Sequence, residues 1–261
     1  MMIGSSLIGL SRDEIHLWLA SDQIDPAKAA TYRLLLSLDE RQQERRFRFD
    51  RDRARYLQTR ALVRTVLSRY EPIDPKDWAF SVNPYGRPEI DETKTEVAGL
   101  CFNVSHTAGL IALAVARSRG IGIDVENIFV RESPLDVARQ VFTAAELAEC
   151  GRLPPEQQLD RFFQHWTFKE SYIKARGMGV SLPLRKVDVR LERDGLVELQ
   201  IAPDLSDDPA RWQFWQLRPA QEYLLAICAE KVGQRSPDIL VKRTTLGSEQ
   251  DVTVQFDRVS A

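Results

Sequence analysis

Cysteine is scarce in this chain. The three, Cys101, Cys150 and Cys228, stand far apart and form no C-x-x-C pair, which excludes a disulfide framework or a zinc knuckle and points to a reducing, cytoplasmic setting. Long hydrophobic runs are also lacking. The longest apolar stretch, Ala108 to Ala116, falls far short of the roughly 20 residues a membrane-spanning helix needs. No basic segment followed by an apolar core opens the chain, so neither a membrane span nor a targeting peptide is expected. An excess of one charge sign is missing too, since 36 Lys and Arg meet 38 Asp and Glu for a formal net charge of -2. That balance describes neither a basic nucleic-acid binder nor an acidic tail protein, and no nucleic-acid or membrane partner is expected. Histidine is rare, and His16 and His165 sit in no motif.

The bulk of the sequence is that of a soluble globular protein: 28% charged and 43% hydrophobic over 261 residues, long enough for one large domain or two ordinary ones with a real core. Local charge departs from the average. Between Arg41 and Tyr70 ten arginines face three acids, Glu44, Asp50 and Asp52. A solvated face is the ordinary reading of such a run, but ten arginines without a lysine favour fork-like contacts to phosphate.

Periodicity divides the chain into elements. Ile15, Leu17 and Leu19 alternate as a first strand, and a helical stretch starts near Pro26. Ala54, Leu57, Ala61, Leu62, Val66 and Tyr70 lay an apolar stripe on a helix over 50–70, with arginines on its other face. Trp78 to Val82 reads as a strand, 83–88 as a tight loop, and Phe102 to Ser105 with Leu110 to Ala116 as a hairpin. Past Glu126 the pattern turns helical over 135–142. Thr143 and Glu146 then make a cap, and a long helix runs over 155–176 until Gly177 stops it. Strands follow at 187–191, 197–201, 212–217 and 223–228, and the polar tail after Lys231 adds one more at 252–256. A loose echo of Phe102–Val115 in Phe214–Ile227 suggests a duplicated module with an active site at its seam.

Two stretches share one chemistry. In Gly122-Ile-Asp124-Val-Glu126 both carboxylates leave the same face of a half-buried strand. In Trp166-Thr-Phe-Lys169-Glu170-Ser-Tyr-Ile-Lys174, Trp166, Glu170 and Lys174 recur every four residues on one side of a helix. An isolated D-x-E is as often plain strand surface, and Glu170 with Lys174 alone would be an ion pair of about 0.3 to 0.5 kcal/mol. The aromatic company of Phe162, Phe163, Phe168 and Tyr172 buries the helix and asks for a partner such as a cation or phosphate. Three convergent carboxylates suit an oxygen-loving divalent cation, and the lysine suits a phosphate held beside it. Metal-assisted phosphoryl chemistry is the class this implies, and a magnesium-dependent nuclease also fits the acids, lysine and arginines. Ser105-His106 is no nucleophile–base arrangement, because no orienting acid or oxyanion site accompanies it.

Together, Phe102-Asn-Val-Ser-His106, Gly122 to Glu126, and Trp166 to Lys174 followed by Gly177 resemble the surfactin-activating (Sfp-type) 4'-phosphopantetheinyl transferases in order and spacing. The similarity runs over about residues 12 to 230 and includes Arg45-Arg-Phe47, Gly86-Arg87-Pro88 and Gly179 to Leu184. The resemblance implies an α+β fold of two similar halves, a pseudo-dimer with the active site at their interface. Its segments would be 1–125, facing the nucleotide of coenzyme A; 126–230, completing the metal site; and a tail, 231–261. Length favours a monomer over the shorter trimeric holo-acyl-carrier synthases. The implied reaction moves the phosphopantetheine arm of coenzyme A onto a serine of an apo acyl or peptidyl carrier protein and releases adenosine 3',5'-bisphosphate.

By the same resemblance Asp124, Glu126 and Glu170 hold magnesium, with manganese as a substitute, against the pyrophosphate. Glu170 takes the serine proton and Lys174 steadies the departing phosphate. Asn103, Ser105 and His106 face the nucleotide, and Gly86 and Arg87 hold its end. The family's basic residues before Arg-Arg-Phe are missing, with Gln43 and Glu44 near those places, so Arg41, Arg45 and Arg55 are the candidates for the 3'-phosphate. The segment Ile128 to Phe142 is the candidate carrier-docking surface. A non-catalytic carrier-binding protein of the same fold is disfavoured by the intact Asp124, Glu170 and Lys174.

Overall fold

Strand β1 (Glu14–Ala20) alternates as its sequence requires, sending Ile15, Leu17 and Leu19 to one hydrophobic cluster and Trp18 and Ala20 to another. It is therefore buried on both faces. The structure is a computed structural model that describes residues 7–97, 99–129, 135–192, 194–233, 235–245 and 248–260. After β1 come α1 (Pro26–Leu35), α2 (Leu38–Arg46), α3 (Asp50–Leu67), the short strands β2 (Phe80–Val82) and β3 (Pro88–Ile90), and the hairpin β4 (Leu100–Thr107) and β5 (Leu110–Arg117). Then follow β6 (Ile121–Asn127), α4 (Leu135–Val141), α5 (Ala144–Arg152), α6 (Pro155–Arg176), β7 (Val187–Leu191), β8 (Leu196–Ile201), β9 (Trp212–Leu217) and β10 (Tyr223–Glu230). The tail contributes β11 (Asp238–Thr244), β12 (Glu249–Val252) and β13 (Phe256–Ser260).

Two large sheets result, one in the order β12-β11-β1-β5-β4 and one in the order β6-β10-β9-β13-β8-β7. Their inner faces meet through Leu17, Ala112 and Ala114 from the first and Ile123, Val125, Leu217 and Leu225 from the second. Outside the first sheet, Leu62, Val66 and Tyr70 pack on Trp18, Phe102 and Leu113. Outside the second, Phe168 and Tyr172 of α6 pack on Phe214, Ala226 and Cys228. The order of layers is helix, sheet, sheet, helix, and each large apolar side chain so buried contributes roughly 1.5 to 3 kcal/mol. The echo in the sequence falls on corresponding hairpins, β4–β5 and β9–β10. This is the α+β architecture of two similar halves that the resemblance implies.

Several expectations need correction. The strand expected at Trp78 starts at Phe80; Trp78 is buried and its indole N–H donates to Ser68 Oγ at 2.8 Å. The tail forms three strands where one was expected at 252–256. β11 lies parallel to β1, and β13 runs between β9 and β8. Their polar, half-exposed residues carry no clear alternation, because an added strand draws on backbone hydrogen bonds that any sequence supplies. The arginines of α3 are not all turned to solvent either. Arg64, with a side chain 1% exposed, donates to Glu40 Oε2 at 2.9 Å and to the carbonyls of Pro75 and Trp78 at 3.0 and 2.9 Å. Arg60 shares Glu40. A guanidinium buried among carbonyls and a carboxylate ties helices together and has few donors left for a ligand.

Candidate active site

The two sheets meet at an edge. β4 ends the first sheet and β6 ends the second, yet no backbone ladder joins them. Side chains do the joining: the N–H groups of Ile123, Val125 and Asn127 donate to Asn103 Oδ1 at 2.9 Å, Ser105 Oγ at 3.4 Å and Thr107 Oγ1 at 3.0 Å. Every second residue of β4 thus satisfies an edge donor of β6, which a buried strand cannot leave unpaired. Two of the three, Asn103 and Ser105, are residues the resemblance assigned to the nucleotide. Thr107 was missed, although its place in the same period-two polar series was a usable signal.

Helix α6 closes over the other side of β6, and a glycine permits it. A Cβ on Gly122 would stand 2.0 Å from the Ser171 carbonyl oxygen and 2.3 Å from the Ala175 nitrogen. Both are helix backbone, which cannot step aside. The approach carries Lys174 to the strand. Its ammonium donates to Asp124 Oδ1 at 2.7 Å and to Ser105 Oγ at 2.9 Å, while the Ser105 hydroxyl donates to the same Asp124 oxygen at 3.0 Å. Asp124 is 5% exposed, so it is an interior carboxylate and not the plain surface residue that an isolated D-x-E would as often be. Its second oxygen, Oδ2, is buried without a hydrogen-bond partner.

Glu126, two residues on along the same face, accepts from the Trp166 indole N–H at 2.9 Å. Glu170 is half-buried on α6 one turn before Lys174. The three carboxylates share the seam of β6 and α6 without forming a closed cage: among the described residues, no group of three His, Cys, Asp or Glu is placed to hold a metal ion. The ion pair at Asp124 and the indole at Glu126 turn those two side chains toward protein partners.

His106 follows the Ser105 bonds and is exposed at the end of β4. Protein packed about its ring still takes water from it, and the charges of Arg55 and Lys174 add to this, so its pKa lies below the ordinary histidine value. Arg55 of α3 and Lys174 of α6 are thus the cations whose charge reaches His106 of β4. Arg55 also pairs with Asp22 at 3.2 Å. Arg41 and Arg45 lie elsewhere, lining a cavity of about 310 Å³ with Arg33, Glu44 and Arg53. The structure thus separates one of the three candidate arginines from the other two.

Gly86 adopts φ +87 at the tip of the loop, with open space where a Cβ would stand. Arg87 reaches across to the second half and donates to the carbonyls of Lys174 and Ala175 at 2.6 and 3.2 Å. The amide of Asn83 donates to the Gly177 carbonyl at 2.8 Å. A cation at the carbonyl end of a helix is favoured by the helix dipole, and burial lowers the Arg87 pKa. This loop fixes the end of α6 that bears Lys174. In the segment proposed for carrier docking, 130–134 lie outside the described residues, and Phe129 beside them is 65% exposed. Among the described residues no helix is long and apolar enough to cross a membrane.

Fold and site together define an α+β protein of two like halves, with a lysine–aspartate–serine cluster where they join. The family model described as "4'-phosphopantetheinyl transferase, N-terminal" matches residues 25–118, and that of the "4'-phosphopantetheinyl transferase superfamily" matches 120–228. A 4'-phosphopantetheinyl transferase of Bacillus subtilis is 35% identical over 194 residues, covering 74% of this chain and 82% of its own. The 4'-phosphopantetheinyl transferase Sfp of Bacillus subtilis strain 168 is 34% identical with the same coverage. HetI, a 4'-phosphopantetheinyl transferase of Nostoc sp., is 30% identical over 86% of this chain and 91% of its own. The chain belongs to the 4'-phosphopantetheinyl transferase family and is a transferase of the Sfp type.

Proposed function

We propose that this transferase moves the 4'-phosphopantetheine group of coenzyme A to a serine of an apo acyl or peptidyl carrier protein in a magnesium-dependent reaction, leaving adenosine 3',5'-bisphosphate. The observation that carries the reading is the meeting of Lys174, Asp124 and Ser105 at the seam of the two halves, next to His106 on β4. In its chemistry the donor set suits magnesium or manganese, and an ion bound there would have to gather the three side chains. The set consists of hard carboxylate oxygens on Asp124, Glu126 and Glu170, and Asp124 Oδ2 is buried with no hydrogen bond to lose. Bound there, the metal supplies positive charge to the pyrophosphate oxygens.

The chain's own residues do the rest. Glu170 accepts the proton of the incoming serine hydroxyl. Lys174 donates to the departing phosphate and offsets the negative charge that grows on it. His106 and Arg55 bind the nucleotide's phosphates on the first half. Arg41 and Arg45 add positive charge at the cavity they share, and Gly86 leaves room beside the loop for the nucleotide. Arg87 acts on the helix end and positions Lys174. The enzyme works as a monomer, because both halves of the site come from one chain, and in the cytoplasm, where coenzyme A and carriers occur.

Purified protein with magnesium and coenzyme A is expected to add about 340 Da to an apo carrier protein, the mass of the transferred group. Intact-protein mass spectrometry over fatty-acid, polyketide and peptide carriers reads this directly. No mass gain on any carrier would overturn the proposal.

A further inference from the structure

Lys174 stands where an external cation has to arrive. Its ammonium is 2.7 Å from Asp124 Oδ1, and Ser105 joins both groups, accepting from Lys174 at 2.9 Å and donating to Asp124 at 3.0 Å. The Asp124 side chain is only 7% exposed, whereas that of Lys174 is 27% exposed. A carboxylate so far out of water requires a counter-charge, and this one is internal. A divalent cation at contact distance from the same carboxylate would face the ammonium a few ångströms away, where like charges in a poorly solvated site repel strongly. Metal and ammonium therefore compete for Asp124.

The surroundings decide which partner can move. Asp124 is held on β6, whose edge N–H groups are bonded to Asn103, Ser105 and Thr107. The α6 backbone is pinned on both sides of Lys174, by the close contact with Gly122 and by Arg87 and Asn83 at its carbonyl end. What remains is the lysine's own flexible stem, partly open to solvent. A competing anion within reach of that stem would draw its ammonium off.

We propose that Lys174 is an exchangeable counter-ion of Asp124, released when the phosphates of the nucleotide substrate take its ammonium, so that metal and substrate load together. This rests on the phosphoryl-transfer reading above. By linkage, each ligand then raises the affinity for the other by the same factor. The exchange keeps Asp124 paired throughout, and it leaves Lys174 on the phosphate that must depart.

Mn2+ binding to the full chain, followed by electron paramagnetic resonance with and without coenzyme A, tests the exchange without reference to turnover. Lys174→Met keeps the stem and removes the charge. With Mn2+ alone it is expected to bind roughly ten-fold more tightly than the wild type. Coenzyme A is expected to tighten Mn2+ binding in the wild type by more than it does in the variant. Lys174→Arg retains the cation and is expected to stay as weak as the wild type, which keeps the test valid should the Met variant fold poorly. Equal or weaker Mn2+ binding by Lys174→Met without coenzyme A overturns the exchange, as does strengthened binding by Lys174→Arg. Absence of Mn2+ uptake by the wild type even with coenzyme A overturns the metal reading and the exchange with it.

Discussion

At the scale of single residues, Gly122 matters as much as the acids that follow it. Its strand position was legible in the alternation of Ile121, Ile123 and Val125, all fully or almost fully buried. Its reason was not, because the atoms that forbid a side chain belong to Ser171 and Ala175, some fifty positions away. Gly122→Ala forces a methyl group against helix backbone. Overpacking of this kind costs about 1 to 3 kcal/mol, and any relief lifts α6 and takes Lys174 from Asp124. The expected outcome is a lower urea midpoint together with a large loss of transfer activity. Wild-type values for both would show that α6 does not need this close approach. Asp124 teaches the companion lesson. Its type and face were readable, but its burial and its bond to Lys174 came from packing.

At the scale of elements, α5 and α6 are joined by a second charged pair, one with no part in the proposed chemistry. Thr143 and Glu146 form the capping box that their spacing predicts, each satisfying a backbone N–H of the other. Glu146 does more. It pairs with Lys169 and also accepts from the Val189 N–H at 2.9 Å. Lys169 has no exposed side-chain surface and donates to the carbonyls of Val141 and Leu184 at 3.0 and 3.1 Å. One ammonium thus holds the end of α4, the start of α5 and the segment before β7 against α6. Burial lowers its pKa and Glu146 opposes that shift. The neighbouring His165, fully buried, has its pKa pushed down to about 4, so it is neutral near pH 7 and adds no competing charge. Removing one partner of a buried pair leaves the other uncompensated, at a cost of about 3 to 5 kcal/mol. Lys169→Met should therefore lower stability by about that amount, while Glu146→Gln added to it recovers part of the loss. Denaturant midpoints of the single and double variants check this, and additive losses would argue against the pair.

At the scale of the whole molecule, the tail spans both sheets. β11 extends the first sheet beside β1, and β13 sits inside the second, between β9 and β8. Deleting residues 234–261 removes β13 from the interior of a sheet, separating β8 and β7 from β9, and exposes the long edge of β1. An opened sheet interior leaves backbone groups and apolar surface unpaired. The truncated chain is expected to be insoluble or to aggregate on expression; a soluble, monomeric product with native-like circular dichroism would contradict that role for the tail.

Much of this protein was determined by the sequence alone. The long helix over 155–176, the capping box at Thr143, the hairpin around Thr107 to Gly109 and the three motifs of the family follow from residues within a turn or two of one another. Such local patterns set the period of burial and the cap, and they need no distant partner. The tertiary structure decided the rest: that β6 joins the second sheet through β10, that Asn103, Ser105 and Thr107 bind its open edge, that Arg87 grips the end of α6, and that Lys174 reaches Asp124 from 50 positions along the chain. Those contacts exist because two packed layers bring distant segments together. Their energies depend on burial and on which partners share it, quantities that spacing along a chain does not contain.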